Sequence, residues 1–198
     1  MGCQVSIEDL NIALTPLPTP MTVIDQRFCR DEPTKLRLQG DFVSHDFDVF
    51  DLSSRKKVFR IYKPLTSISD PRTIFDENDI PIVKLTREHG YQNFYATDAK
   101  TGADLFKIDA FVLMLHVDVN VRFTDVVTGE KCRVSISGNW AARKVVVWMI
   151  RESDLTPAPI GRIEGINHSY EVEAAPGVDL IFMLMICATL DGALDKAS

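Results

Sequence analysis

The first six residues, MGCQVS, carry the clearest chemical signal in the chain. They fit the pattern M-G-x-x-x-[ST], in which Gly2 accepts a myristoyl group and Ser6 completes the motif. Cys3 stands beside this glycine and offers a thiol for palmitoylation. One myristoyl chain binds a membrane only weakly, whereas two acyl chains give a durable anchor. The residues therefore predict acylation at Gly2 and Cys3, and the alternative is an unmodified N-terminal segment.

Two groups of basic side chains could meet phospholipid headgroups. The first group lies in a predicted turn, and the second lies on one strand face and at the start of the next strand. Their members are Arg55, Lys56 and Lys57 in the turn, then Lys131, Arg133, Arg143 and Lys144 on the strands. The expected ligand of such basic groups is an anionic phospholipid. The alternative is that these charges only solvate turns and protect strand ends.

The chain has no recognisable set of catalytic or metal-binding residues. Among the four histidines, only His116 shares a predicted strand face with a carboxylate, that of Asp118. The four cysteines lack zinc-ligand spacing, and we expect them to be reduced thiols of a cytoplasmic protein. Asp179, Asp191 and Asp195 are not spaced as the ligands of a calcium loop. We therefore predict no enzymatic activity, no cofactor and no bound metal.

The composition narrows the class of protein. A chain of 198 residues with 45% hydrophobic and 25% charged residues is long enough to bury one core. The net charge of −6 argues against non-specific nucleic-acid binding, which needs a basic surface. Residues 15–20 read TPLPTP, and this spacing of prolines favours an extended segment of roughly 19 Å. The composition thus predicts one globular domain, preceded by a tether, with no nucleic-acid partner.

The segment from Val178 to Leu190 predicts the central element of the fold. It reads VDLIFMLMICATL, and its only charge is that of Asp179, which we place in the first turn of a helix, where the helix dipole favours a carboxylate. A helix that is apolar on all sides must be buried or lie in lipid. Thirteen residues span roughly 20 Å, which is less than the ~30 Å core of a bilayer. Because the rest of the chain reads as strand, we predict a β-barrel wrapped around this helix.

An aspartate recurs where successive strand-like runs end. The positions are Asp51, Asp76, Asp98 and Asp125, at separations of 25, 22 and 27 residues. Turn residues follow each aspartate, and the last two turns share the form D-x-x-T-G. In such turns the aspartate accepts hydrogen bonds from its own backbone and glycine takes a left-handed conformation. The pattern predicts a meander of hairpins with eleven or twelve strands before the helix, including Val43–Phe50, Val58–Tyr62, Lys131–Ser137, Lys144–Ile150, Ile160–Ile163 and Ser169–Ala174.

These segments resemble the LURP-one-related family, a relative of the tubby C-terminal domain and of the phospholipid scramblases. The matching segments are PMTVIDQRFC from Pro20, then FDVFD, RTIFDENDIPI, VSISGNW, IGRI and SYEVEAAPGVDLIFMLMICATLD. The resemblance implies a twelve-stranded barrel around a central C-terminal helix and supplies no catalytic residues. Because tubby domains bind phosphoinositides through basic side chains on the barrel surface, the resemblance also implies a phosphoinositide as a ligand of the basic groups named above. Plant members usually carry tryptophan where this chain has Asn93 or Phe94, so the chain resembles a divergent member.

The sequence predicts a tether followed by one domain. Residues 1–19 form a flexible tether that can be acylated, and residues 20–198 form one mainly β domain of the tubby-like type. The expected function is that of a non-enzymatic binding or scaffold protein at the cytosolic face of a membrane, held there by acyl chains and contacting headgroups. One alternative is a scramblase-like lipid transporter whose C-terminal helix inserts. Another is a soluble protein-interaction module, with an unknown protein partner and no lipid binding.

Overall fold

A closed antiparallel barrel surrounds one helix in the computed structural model of this chain. The structure describes residues 12–40, 46–64, 70–113, 116–139, 143–167 and 169–194. Within these ranges twelve strands pair in chain order, and the first and last strands pair to close the ring. The elements are β1 Thr34–Gly40, β2 Phe47–Asp51, β3 Lys57–Tyr62, β4 Arg72–Asp76, β5 Pro81–Arg87, β6 Phe94–Asp98, β7 Asp104–Leu113, β8 His116–Thr124, β9 Lys131–Asn139, β10 Lys144–Arg151, β11 Ala158–Ile166, β12 Ser169–Ala174 and the helix α1 Leu180–Leu194.

The predicted architecture, a twelve-stranded barrel around the C-terminal helix, is confirmed. The run Ser169–Ala174 matches β12, and the run Val58–Tyr62 begins one residue after β3 does. The run Val43–Phe50 is shortened, because β2 begins at Phe47 and residues 41–45 lie outside the described part of the chain. Strand β1 was not predicted from the sequence, although the alternation of buried and exposed residues along β1 is typical of a strand with one solvent-exposed face.

The helix begins two residues later and ends four residues later than the sequence pattern predicted. Val178 and Asp179 form isolated β-bridges with the N-terminal segment instead of the first helical turn. The carboxylate of Asp179 caps the helix, since its Oδ1 accepts hydrogen bonds from the N–H groups of Ile181 and Phe182 at 3.0 and 3.3 Å. The placement of Asp179 inside the first turn is therefore wrong. Aspartate is a preferred N-cap because it satisfies N–H groups that have no partner within the helix.

The helix fills the barrel. Every side chain from Leu180 to Leu190 is at most 2% exposed, which confirms the burial predicted from its lack of a polar face. A barrel of eight strands can be filled by side chains alone, and a wider barrel needs more material inside. Strand β8 shows how the wall contributes, because Val117, Val119 and Val121 point inward while the alternate residues face outward.

The two ends of the barrel differ in the hairpins that they contain. In an antiparallel meander alternate hairpins lie at the same end. The β2–β3, β4–β5, β6–β7 and β8–β9 hairpins and the start of α1 therefore share one end, which we call the aspartate end. The C-terminal end of α1 lies at the opposite end, which we call the helix-exit end.

The recurring aspartates close the turns as predicted. Each carboxylate Oδ1 accepts two N–H groups from its own turn at 2.6–3.1 Å; the carboxylates are those of Asp51, Asp76, Asp98 and Asp125. The D-x-x-T-G turns place Gly102 and Gly129 at φ of 74° and 72°, which confirms the predicted left-handed glycines. Arg55 holds the equivalent place after Asp51 with φ of 57°, without the freedom of glycine.

Arginines hold the C-terminal end of the helix at the helix-exit end. The buried Arg72 donates from Nη1 to the carbonyl of Ala188 at 2.8 Å and to Oδ2 of Asp191 at 2.7 Å. Arg87 donates from Nη1 to the carbonyl of Gly192 at 3.2 Å. Positive groups at this end also suit the negative pole of the helix dipole.

Candidate functional site

The N-terminal segment is attached to the outside of the barrel. Gly2 and Cys3 lie outside the described residues, so the structure does not bear on their acylation. The described part of the predicted tether, residues 12–19, contacts the barrel: the carbonyl of Ile12 accepts from Arg162 Nη2 at 2.9 Å. The carbonyls of Thr19 and the following proline accept from Arg151 Nη2 at 2.9 and 3.0 Å. The predicted tether boundary at residue 19 therefore falls within a segment that already lies on the barrel.

Residues 20–30, which we call the strap, cross the aspartate end. Three buried carboxylates hold the strap. Oδ2 of Asp125 accepts the N–H of Thr22 at 3.0 Å, and Arg30 pairs with Asp51. Oδ2 of Asp179 accepts the N–H groups of Val23 and Ile24 at 3.1 and 2.7 Å. The carboxylate that caps the helix therefore also fixes the strap, and this end of the barrel is covered.

Burial and hydrogen bonding act differently on these carboxylates. Burial raises the pKa of Asp179 to about 6, although the N–H groups of Ile24 and Val23 act to lower it. At Asp51 burial also acts to raise the pKa, but hydrogen bonds from Ser53 and Arg30 prevail and hold the pKa well below its usual range. Both groups already have protein partners, so neither is a general acid or base awaiting a substrate.

The predicted basic residues fall into three separate places. Arg55 and Lys56 lie in the β2–β3 turn at the aspartate end and Lys57 begins β3, whereas Lys131 and Arg133 lie on β9, six strands from β3 around the ring of twelve. The last two members, at the start of β10, lie at the helix-exit end; they are Arg143 and Lys144. The seven residues therefore do not form one surface.

The three places also differ in how their charges are paired. Lys57 contacts Asp48 at 2.6 Å, Lys144 contacts Glu164 at 2.9 Å, and Arg143 donates to the carbonyl of Asn167 at 3.0 Å. Lys131 and Arg133 have no ion pair with any described residue, and neither do the side chains of Arg55 and Lys56 in the turn. Unpaired cations on one face of a strand are available to an external anion.

A groove of about 480 Å³ surrounds these unpaired cations on the outer face of β8, β9 and β10. We call it the basic groove; its lining residues are Arg122, Phe123, Thr124, Lys131, Cys132, Arg133, Ile150, Arg151, Glu152 and Leu155. Arg122, which the sequence analysis missed, lies directly opposite Arg133 in the β8–β9 ladder. Like charges in this position repel each other, and a bound anion would relieve the repulsion. That Arg122 is a neighbour of Arg133 can be recognised only from the strand register.

Exposed apolar side chains border the basic groove. Leu155, which lines it, is 77% exposed, and Val126 and Val127 in the β8–β9 turn are more than half exposed. The strap passes the same place, because the N–H of Val126 donates to the carbonyl of Thr22 at 3.0 Å. Arg151 both lines the groove and binds the N-terminal segment. A basic groove with an apolar border is complementary to a surface that is anionic outside and apolar within. The N-terminal segment runs beside this groove.

Comparison with known proteins defines the family. A sequence model of the family described as LURP-one-related matches residues 35–191, most of the chain. The chain belongs to the LURP-one-related family. Protein LURP-one-related 10 of Arabidopsis thaliana is 23% identical over 187 residues, which cover 86% of this chain and 95% of that protein. Protein LURP-one-related 15 of the same plant is 23% identical over 195 residues, which cover 88% of each chain.

A solved structure supports the same fold for this LURP-one-related chain. The X-ray structure of a protein from Arabidopsis thaliana superposes with a TM-score of 0.63 at 20% sequence identity, covering 86% of this chain and 96% of the other. The names of the family and of the relatives specify no reaction, ligand or partner.

The described thiols and carboxylates of this LURP-one-related barrel show no catalytic arrangement. Burial raises the pKa of Cys29 and that of Cys132 to about 11, so these thiols stay protonated at neutral pH. In the described ranges no group of three or more potential ligands is placed to hold a metal ion. Asp191, considered above as a possible calcium ligand, pairs with Arg72 and accepts from Tyr170 Oη at 2.8 Å. No helix in the described part of the chain has both the length and the apolar character needed to cross a bilayer.

Proposed function

We propose that this LURP-one-related protein is a non-enzymatic binding module at the cytosolic face of a membrane. Acyl chains on Gly2 and Cys3 hold it there, and the basic groove contacts anionic phospholipid headgroups. The observation that carries the proposal is the junction at Arg151, which lines the groove and also binds the N-terminal segment. The described part of the N-terminal segment and the unpaired basic surface thus lie on the same side of the barrel.

The length of the N-terminal segment suits this arrangement. Ile12 is held against β11, two strands from the cations of β9. Eight residues lie between Cys3 and Ile12, and the nine Cα-to-Cα steps from Cys3 to Ile12 extend over at most about 30 Å. Neighbouring strands lie about 5 Å apart, so acyl chains on residues 2 and 3 can reach a bilayer that touches the basic groove.

The membrane-binding energies favour a contribution from both the acyl chains and the basic groove. A single myristoyl chain binds membranes with an association constant of only ~10⁴ M⁻¹. Each basic residue near an anionic surface adds about 1 kcal/mol, so Arg122, Lys131 and Arg133 together add about 3 kcal/mol. Because the chain has a net charge of −6, attraction to an anionic membrane requires an orientation that turns a basic surface, such as this groove, toward the membrane.

The enclosed helix weighs against the scramblase-like alternative. Its fifteen residues span about 22 Å, less than the ~30 Å core of a bilayer. To insert, α1 would have to leave a barrel in which it has no exposed face, leaving the inward side chains of all twelve strands without their central partner.

Fractionation of cells that contain N-myristoyltransferase tests the proposal. We expect wild type on membranes, Gly2→Ala in the cytosol, and Cys3→Ser divided between the two, because a single acyl chain exchanges. Gln4→Ala, which keeps the acylation pattern, is the matched control and should behave as wild type. Retention of Gly2→Ala on membranes would contradict anchoring by acyl chains, and a wholly cytosolic wild type would contradict the membrane location itself.

A further inference from the structure

A second groove, of about 490 Å³, lies on the outer face near the helix-exit end, and the proposed function does not use it. We call it the acidic groove; it is lined by Gly90, Tyr91, Gln92 and Asn93 of the β5–β6 turn and by Asp109, Ala110, Phe111, Asp118 and Asn120 of β7 and β8. The lining contains two carboxylates and no lysine or arginine. The charge of the acidic groove is thus opposite to that of the basic groove.

Aromatic rings stand beside the carboxylates of the acidic groove. Phe111 lies directly opposite Asp118 in the β7–β8 ladder, and Asp109 lies opposite Asn120. Phe111 is 54% exposed and Tyr91 is 63% exposed. Asp109 already pairs with Lys107 at 3.3 Å, so Asp118 is the carboxylate that remains for a ligand. Two large rings that remain in water next to this carboxylate form a surface that favours a cation with a flat or apolar face.

The wall of the acidic groove is fixed before any ligand binds. In the β5–β6 turn, Arg87 donates from Nε to the carbonyl of Tyr91 at 2.9 Å, and Asn93 donates from Nδ2 to Glu88 Oε2 at 2.8 Å. Oδ1 of Asn93 accepts the N–H of Ala110 at 3.3 Å, which ties the turn to β7. Because these bonds hold the turn, little conformational entropy would be lost there on binding.

We propose that the acidic groove binds a segment of a partner protein through an exposed arginine side chain. A guanidinium group is planar, so it can stack on the ring of Tyr91 or Phe111 while its N–H groups point to a carboxylate such as that of Asp118. The groove is open to solvent along the sheet surface, which lets the partner's backbone pass without being enclosed. This interaction is independent of acylation and of the basic groove.

Nuclear magnetic resonance of the isotopically labelled full-length chain tests this proposal. The probe is a glycine–serine peptide with one central arginine, and the control peptide has glutamine in its place. We expect the arginine peptide to shift the amide signals of residues 90–93, 109–111 and 118–120, and the glutamine peptide to leave them unchanged. We also expect Asp118→Asn and Phe111→Ala each to weaken binding by about tenfold.

Matched variants keep the test specific. Asp118→Asn preserves an oxygen that can accept the hydrogen bond from Asn120, and Glu77→Gln removes an exposed negative charge at the other end of the barrel. The Glu77→Gln protein should bind as wild type does. Equal binding by all three variants, or shifts located elsewhere, would overturn the proposal. Shifts at the same residues with tetramethylammonium but not with the arginine peptide would overturn it too, and would assign the groove to a quaternary ammonium group.

Discussion

The two ends of the barrel use opposite charges inside and outside. At the aspartate end the interior groups are carboxylates, with Asp179 capping the start of the helix, while the groove outside is basic. At the helix-exit end Arg72 and Arg87 bind the last helical carbonyls, and Arg72 also pairs with Asp191, while the groove outside is acidic. The charged groups inside the barrel that bind the helix ends thus complement the helix dipole. The charge of each outer groove is unrelated to that dipole.

Strand β8 crosses both regions and shows the difference on one element. Its outward residues include Asp118 and Asn120 in the acidic groove, then Arg122 and Thr124 in the basic groove. The interior charges at each end have protein partners, whereas Arg122, Lys131 and Arg133 have no ion pair within the described chain. Charged side chains that have protein partners stabilise the fold, whereas charged side chains without an ion pair are candidates for binding a ligand.

The largest expected effect comes from placing a charge between the two ends. Met185→Asp puts a carboxylate in the middle of α1, where Met185 and its helix neighbours Leu184 and Ile186 are fully buried. An unpaired buried charge costs several kcal/mol, comparable with the whole stability of ~5–15 kcal/mol, so we expect no soluble folded protein. Met185→Leu should fold, with a loss below about 1.5 kcal/mol in denaturant unfolding. A folded Met185→Asp protein would show that the helix is not the core.

The next effect concerns pH at the aspartate end. Asp179 has a pKa of about 6 in the folded protein and an ordinary value of 3.8. Between these values the folded state binds more protons at this group than the unfolded state does, so its contribution to stability grows as pH falls from about 6 to about 4, by roughly 3 kcal/mol. Unfolding measurements should show the deficit of Asp179→Asn, relative to wild type, growing over this window.

Asp51 provides the opposite control for that pH dependence. Its pKa is lowered in the folded protein, so its contribution to stability is present above the ordinary value of 3.8 and is lost as pH falls below that value. The deficit of Asp51→Asn should therefore be constant from pH 7 down to about 4 and shrink at lower pH. The same pH trend in both variants would contradict the assigned environments.

A smaller effect is expected in the basic groove, where one substitution should raise stability while it weakens membrane binding. Arg133→Gln removes a positive charge opposite Arg122, so we expect unfolding free energy to rise by about 0.2–1 kcal/mol. The same change, like Lys131→Gln, should weaken binding of unacylated protein to phosphatidylserine vesicles by about fivefold. Lys56→Gln, on the other side of the barrel, is the matched control. Vesicles with and without a phosphoinositide distinguish a specific headgroup from general negative charge, and equal binding by all variants would exclude the groove.

The smallest effect concerns the turn that lacks glycine. Arg55 has φ of 57° where the D-x-x-T-G turns have Gly102 and Gly129. Arg55→Gly should relieve this conformation and raise the unfolding free energy by at most about 1 kcal/mol, while Gly129→Ala should lower it. Destabilisation by Arg55→Gly would show that the arginine side chain contributes more than its backbone costs.

Features that depend on local chemistry could be predicted from the sequence. An apolar run without a polar face has to be buried, which predicted α1 and the surrounding barrel. The aspartates at 51, 76, 98 and 125 bond to the turns that follow them, within four residues, so spacing alone revealed them. The acylation pattern at Gly2 and Cys3 is also a local signal, and it stays a prediction.

Contacts between residues that are distant in the chain could not be predicted in this way, because they depend on the folded barrel. The oxygens of Asp125 and Asp179 bind N–H groups of the strap that lie more than 100 residues away in the chain. Arg122 faces Arg133 because of the strand register, and closure of the ring puts the β2–β3 turn on the side away from them. Register and closure follow from the packing of all twelve strands on one helix, and no short stretch of sequence contains that information.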